Sequence, residues 1–64
     1  MMNKTLSTDI DLFAAALSQT YVIVSKNEML EYAGLLREYN EDSVKINDTW
    51  FSRNLYEFHV ITPA

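Results

Sequence analysis

Residues 25–40, with the sequence SKNEMLEYAGLLREYN, decide between two folds for this chain. As a helix, the segment would begin at a capping box formed by Ser25 and Glu28, followed by apolar residues at helical spacing. As a strand, it would place Gly34 at a bend or bulge, whereas that Gly costs a helix about 1 kcal/mol relative to Ala. A capping box stabilises a helix by more than charges of the wrong sign at its two ends destabilise it. We therefore predict a second helix over 26–39 and keep the bent strand as the alternative.

The residues before this segment predict an N-terminal helix over 8–18. Thr8 and Asp11 have the spacing of a capping box, and acidic residues in the first turn complement the helix dipole. Apolar side chains recur at i, i+3, i+4 and i+7, and we expect this stripe to face the core. The stripe consists of Ile10, Phe13, Ala14 and Leu17. Residues 1–7 are polar, and we expect them to be loose.

The β-strand signals lie between and after the helical segments. Residues 21–24, YVIV, are apolar on both sides and suit a central strand. Residues 43–61 alternate around two short polar turns and predict a three-stranded C-terminal meander. In its last strand, Phe58 is assigned to the packed face and His59 to the opposite face. The chain is thus predicted to be a single α+β domain over 1–64, with helices packed on an antiparallel sheet.

The strand interpretation of residues 30–37 gives a different fold, in which one N-terminal helix precedes a bent five-stranded barrel. This pattern is similar to the Sm-like fold of ring-forming RNA-binding proteins. The resemblance runs from Gly34 to Val60 through the Tyr39-Asn40 turn and the closing FSRNL stretch. Where bacterial members typically have a Lys-His pair, this chain has Arg53-Asn54. The resemblance implies a ring subunit that binds RNA, which is the alternative function.

Composition limits the classes of function. The chain has 64 residues, a formal net charge of −4, one His, one Gly and no Cys. Disulfides and thiolate zinc sites are excluded, and a single Gly excludes glycine-rich phosphate loops. So small a core rarely supplies more than about 3–5 kcal/mol, so we expect self-association or docking on a larger protein. We expect no metal, no cofactor and no membrane segment, and a cytoplasmic location.

The polar residues give little indication of catalysis. His59 and Glu57 share one strand face, and Ser52 or Thr49 would approach them across the predicted meander. No nucleophile elbow or oxyanion loop accompanies these residues, so the ordinary interpretation is a partly exposed strand histidine. Glu41 and Asp42 form an acidic turn without the spacing of a calcium loop. We therefore predict that the protein is not an enzyme and has no catalytic residue.

The aromatic residues of the C-terminal third are the best candidates for a binding site. Trp50 and Phe51 are neighbours on one strand and must point to opposite faces, so one of them should lie outside the core. Trp and Arg are enriched at binding hot spots, and Arg53 lies at the adjoining turn. The predicted protein-binding residues are Trp50, Phe51 and Arg53. The expected function is binding of another copy or a larger target, as an accessory or inhibitor protein of the kind that phages and mobile elements encode.

Overall fold

The computed structural model describes residues 2–62, which form one α-helix and a single sheet of six antiparallel strands. The elements are β1 (Met2–Thr5), α1 (Asp9–Ser18), β2 (Tyr21–Lys26), β3 (Met29–Tyr39), β4 (Ser43–Ile46), β5 (Thr49–Ser52) and β6 (Glu57–Thr62). The strand order is β1-β6-β2-β3-β4-β5, which leaves β1 and β5 at the two edges of an open sheet. The predicted α+β class is confirmed, and so is the central position of β2.

The N-terminal helix is confirmed together with its capping box. The Thr8 hydroxyl accepts a hydrogen bond from the Asp11 backbone N–H at 3.2 Å. In return, the Asp11 carboxylate accepts from the N–H groups of Ser7 at 3.2 Å and Thr8 at 3.3 Å. These two backbone hydrogen bonds, of which the one from Ser7 has the larger effect, hold the pKa of the Asp11 carboxyl below its ordinary value. The helix ends at Ser18, and the capping residue Gln19 has the left-handed conformation common at this position.

The predicted second helix over 26–39 is wrong, since these residues form a turn and the long strand β3. Asn27 and Glu28 both have positive φ, at 52° and 63°, as the two central residues of a tight hairpin turn do. Ser25 and Glu28 therefore cap no helix. Because β3 pairs with β2 along one part and with β4 along the other, ladder hydrogen bonds and burial outweigh the local helical signals.

Gly34 lies where β3 passes from one partner strand to the other, and the side chain of Asn47 lies directly over it. The Asn47 side-chain oxygen accepts from the Leu35 backbone N–H at 3.0 Å, and the Asn47 backbone N–H donates to the Leu35 carbonyl at 2.8 Å. A Cβ at position 34 would lie 2.5 Å from the Asn47 side-chain nitrogen. The glycine thus permits a close approach that fixes the bend, as the strand alternative expects. The barrel of that alternative is wrong, because the sheet stays open.

The prediction of a three-stranded C-terminal meander is only partly correct. β4 and β5 form the predicted hairpin through Asn47 and Asp48, but β6 pairs with β1 and β2 and not with β5. The Ser52 carbonyl accepts from the N–H groups of Leu55 at 3.3 Å and Tyr56 at 3.1 Å. This helix-like turn redirects the chain. As a result, β6 pairs between β1 and β2, near the edge of the sheet opposite to β5.

Residues 2–5 pair along the outer edge of β6, in contrast to the expectation that 1–7 are loose, and residue 1 lies outside the described part of the chain. Met2–Thr5 forms β1, and the next residue, Leu6, is buried in the core. The Leu6 backbone N–H donates to the Phe58 carbonyl at 2.7 Å. The strand is short and polar, so its sequence lacks the alternation of apolar and polar residues by which strands are recognised. It forms because the edge of β6 provides backbone hydrogen-bond partners.

The core lies inside the bend of the sheet, with α1 packed across one end. Its largest fully buried side chains are Leu12, Val22, Val24, Val44 and Ile46. Phe58 is 4% exposed, as predicted, and His59 lies on the opposite, outer face. The prediction for the helix stripe is wrong, because α1 buries Leu12 and Ala15 instead. Leu12 and Ala15 are three residues apart and share one helix face, which belongs to the core cluster, whereas Phe13 is 58% exposed.

Candidate functional site

The structure separates the two neighbouring aromatic residues of β5. Phe51 is 9% exposed and packs in the core against Tyr32, at 5.4 Å between ring centroids, and Tyr56, at 5.2 Å and nearly edge-on. Trp50 lies on the outer side and keeps 47% of its surface exposed. Trp50 is therefore the member of the predicted pair that a partner can reach, and Phe51 serves the core.

The side chain of Lys45 lies beside the exposed face of Trp50. Lys45 is the direct cross-strand neighbour of Trp50 on β4, and its ammonium nitrogen is 5.9 Å from the centroid of the Trp50 rings. The same ammonium forms an ion pair with Glu38 on β3 at 3.7 Å. The Lys45 ammonium therefore lies between the face of the Trp50 ring and the Glu38 carboxylate, and it contributes a cation–π contact to the indole.

The backbone of β5 is available for pairing along its outer side. β4 is the partner of β5 on one side, and β5 ends the sheet on the other. Ile46 and Thr49 flank the two-residue turn and share its hydrogen bond, so the alternation of an antiparallel ladder directs the Trp50 N–H and C=O to the free edge. The strand sequence, TWFS, has no charge and no proline, the usual devices that prevent edge pairing.

Arg53, the third predicted binding residue, is engaged within the chain. Its guanidinium donates to the Asp9 carboxylate at 2.9 Å and to the Asn40 carbonyl at 2.6 Å, and its side chain is only 19% exposed. These contacts join the first turn of α1, the β3–β4 turn and the turn after β5. They hold the end of β5 in place, which positions Trp50 from within the chain.

The helix presents an apolar stripe to solvent. Ile10 is 80% exposed, Phe13 58% and Leu17 74%, and all three lie on the side of α1 that faces away from the sheet. Contiguous large apolar side chains of this kind mark interaction surfaces more often than scattered ones do. The spacing of these residues was recognised in the sequence, but only the structure shows which stripe of the helix is buried.

A groove of about 580 Å³ lies on the outer face of the sheet, remote from β5. Its floor is aliphatic, formed by Ile23, Leu30 and Ile61. Two carboxylates, Glu28 and Glu57, line it together with His59. Sequence reasoning missed this site because it placed Ser25 and Glu28 at a helix cap. The signal that could have found it is the alternation in the last strand, which places Glu57, His59 and Ile61 on one face.

The arrangement does not bring together the groups that the sequence suggested for nucleophilic chemistry. His59 is paired with Ile23 and Thr5 in the neighbouring strands, whereas Ser52 and Thr49 lie on β5, which is not adjacent to β6. Within residues 2–62, no group of three His, Asp or Glu side chains is placed to hold a metal ion. In the same part of the chain, no helix has the length and apolar character that a bilayer crossing requires.

Comparison with known proteins gives no relative for this chain. No protein-family model matches it, and neither a curated protein nor a solved structure is significantly similar to it. Function is therefore argued from the surfaces themselves.

Proposed function

We propose that this protein acts by protein–protein binding, without catalysing a reaction, and that a second copy pairs with the free edge of β5 around Trp50. The observation that carries the proposal is an unprotected edge strand with a half-exposed tryptophan beside the Lys45 ammonium. Strand addition at such an edge gains affinity from backbone hydrogen bonds and specificity from the side chains beside it. We also propose a cytoplasmic location, for which the lack of cysteine is the support.

A second copy fits this edge for reasons of symmetry and charge. Two β5 strands related by a two-fold axis run antiparallel, so the same surface serves both partners and the association closes as a dimer. The net charge of −4 opposes association in general, but β5 itself carries no charge. Pairing would also add buried area to a core that is thin for an independent domain.

The helix stripe gives the proposed dimer a second surface for a larger target. Its three large side chains are exposed on α1, which is not part of the sheet, so pairing of β5 does not use them. An amphipathic helix of this type docks its apolar residues in a groove of a partner protein. This is the mode of action that we propose for an accessory or inhibitor protein.

Replacing Trp50 by Ser is expected to weaken self-association strongly while leaving the fold intact. The indole is outside the core, and loss of such an anchor costs a contact about 2 kcal/mol or more, or roughly thirtyfold in affinity. Phe13→Ser is the matched control, because it removes another exposed aromatic ring from a different surface. Sedimentation equilibrium should give a dimer for the wild type and Phe13→Ser at micromolar concentrations and a monomer for Trp50→Ser. A monomeric wild type, or loss of association in Phe13→Ser alone, would contradict the proposal.

The alternative function, an Sm-like ring subunit that binds RNA, is supported by the bent β3 with its glycine and by the two short strands that follow the Asn40 turn. Charge weighs against it. Within residues 2–62, Lys4, Lys45 and Arg53 are in ion pairs, and Lys26 lies over the ring of Tyr56. RNA binding needs clustered free cations and weakens as salt rises. The sedimentation experiment separates the two functions, because a ring would have a mass well above that of a dimer.

A further inference from the structure

We infer that the groove on the outer face of β6 and β2 binds an arginine or lysine side chain of a target protein. The site is distinct from the edge of β5, because its residues lie on β1, β6, β2 and the β2–β3 hairpin. The inference therefore goes beyond the proposed self-association and does not depend on it.

The shape and lining of the groove match a long basic side chain. Ile23, Leu30 and Ile61 form an aliphatic floor, and Glu28 and Glu57 place carboxylates beside it. Arginine and lysine have an apolar stem and a charged head, so the stem can lie on the floor while the head reaches the carboxylates. A volume of about 580 Å³ in an open groove has ample room for one such side chain.

Ser25 provides a second, independent indication of a ligand. It is only 8% exposed, yet its hydroxyl has no hydrogen-bond partner among residues 2–62. In that part of the chain no fully buried side-chain polar atom lacks a partner, so this hydroxyl must be reached from the groove that it lines. Polar groups so nearly buried normally have a hydrogen-bond partner, and the Ser25 hydroxyl can accept a hydrogen bond from an N–H donor in the groove.

Both carboxylates are free to bind a cation. No ion pair within residues 2–62 involves Glu28 or Glu57, and the ion pairs that do form lie elsewhere on the surface. Ser25 and Glu57 are direct cross-strand partners, which brings hydroxyl and carboxylate to adjacent positions on one face. His59, two residues further along β6, faces the same groove.

The register of the hairpin explains why these groups face outward together. A shift between Val24 and Ser25 makes Leu30 the cross-strand partner of Ser25 and leaves Glu31 as the extra residue in β3. Leu30 therefore lies on the same face as Ser25, and the turn at Asn27 and Glu28 brings the Glu28 carboxylate to the end of the groove. An irregularity in the hairpin thus builds the site.

The test is a titration of the full-length, isotope-labelled protein with acetyl-Ile-Arg-Ile-amide, followed by NMR. The control peptide contains citrulline, which keeps the shape of arginine and removes its charge. We expect the arginine peptide to shift the signals of Ser25, Leu30 and Glu57, and to bind at least about threefold more tightly than the citrulline peptide. Glu57→Gln should reduce affinity by about two- to fivefold, whereas Glu31→Gln, an exposed carboxylate of the same hairpin, should not change it.

Ser25→Ala gives the second variant, expected to weaken binding of the arginine peptide while the far-UV circular dichroism stays that of the wild type. Equal affinity for the two peptides, shifts confined to residues outside the groove, or equal effects of Glu57→Gln and Glu31→Gln would overturn the inference. This titration tests the groove separately from self-association through β5, because it can also be run on Trp50→Ser, in which the groove is unchanged.

Discussion

Phe58→Ala is expected to unfold most of the protein at room temperature. The Phe58 ring is 4% exposed at the centre of the core, and truncation of a buried Phe costs about 3–5 kcal/mol. A single core of this size supplies about the same amount in total. Urea denaturation followed by circular dichroism should show a wild-type transition and little or no folded baseline for the variant.

His59→Ala is the matched control for this prediction. It changes the next residue of the same strand, but on the outer face and outside the core, and surface substitutions usually stay within about 0.5 kcal/mol. We expect its urea midpoint to equal that of the wild type. Loss of stability in His59→Ala with little loss in Phe58→Ala would mean that the register of β6 against β2 is inverted.

Gly34→Ala is expected to destabilise the protein by about 1–3 kcal/mol, the usual cost of forcing an extra carbon into a packed site. The new methyl group would lie 2.5 Å from the side chain of Asn47, which accepts a hydrogen bond from the Leu35 backbone and donates one to the Tyr32 hydroxyl. The sign of the effect separates the two interpretations of this segment. In a helix, the same change would stabilise the protein by about 1 kcal/mol.

A double variant shows whether Asn47 is the cause. Asn47→Gly removes the obstructing side chain and suits the positive φ of 54° at that position, at the cost of the two hydrogen bonds of that side chain, about 1 kcal/mol each. In Gly34→Ala/Asn47→Gly the total loss of stability should be smaller than the sum of the two single losses. Additive losses would show that the clash at position 34 comes from another group.

The N-terminal helix was predictable because its signals are local and agree with one another. Thr8 and Asp11 satisfy each other's hydrogen bonds within one turn, whatever the rest of the chain does. The segment 26–39 carries local signals of the same kind, yet it is a strand. The difference is tertiary, since β3 gains two ladders and closes the core, which no property of the segment itself reveals.

The candidate binding sites, like the fold, could be predicted only in part from the sequence. Strand alternation alone requires that Trp50 and Phe51 face opposite sides, but it cannot say which one is buried. The engagement of Arg53 by Asp9 and Asn40 joins residues far apart in sequence, so it has no local signature. The groove depends on the crossing of β6 to β2 and on a shift in the hairpin, and neither follows from the spacing of its residues.

The most direct measurement of the central claim is the fluorescence of Trp50, the only tryptophan in the chain, as a function of protein concentration. If a second copy covers the free edge of β5, the emission maximum moves to shorter wavelength and acrylamide quenching decreases as the dimer forms. Phe13→Ser should follow the wild-type curve. Emission and quenching that stay constant while sedimentation shows association would place the interface elsewhere, and constant values with a monomeric mass at every concentration would contradict self-association altogether.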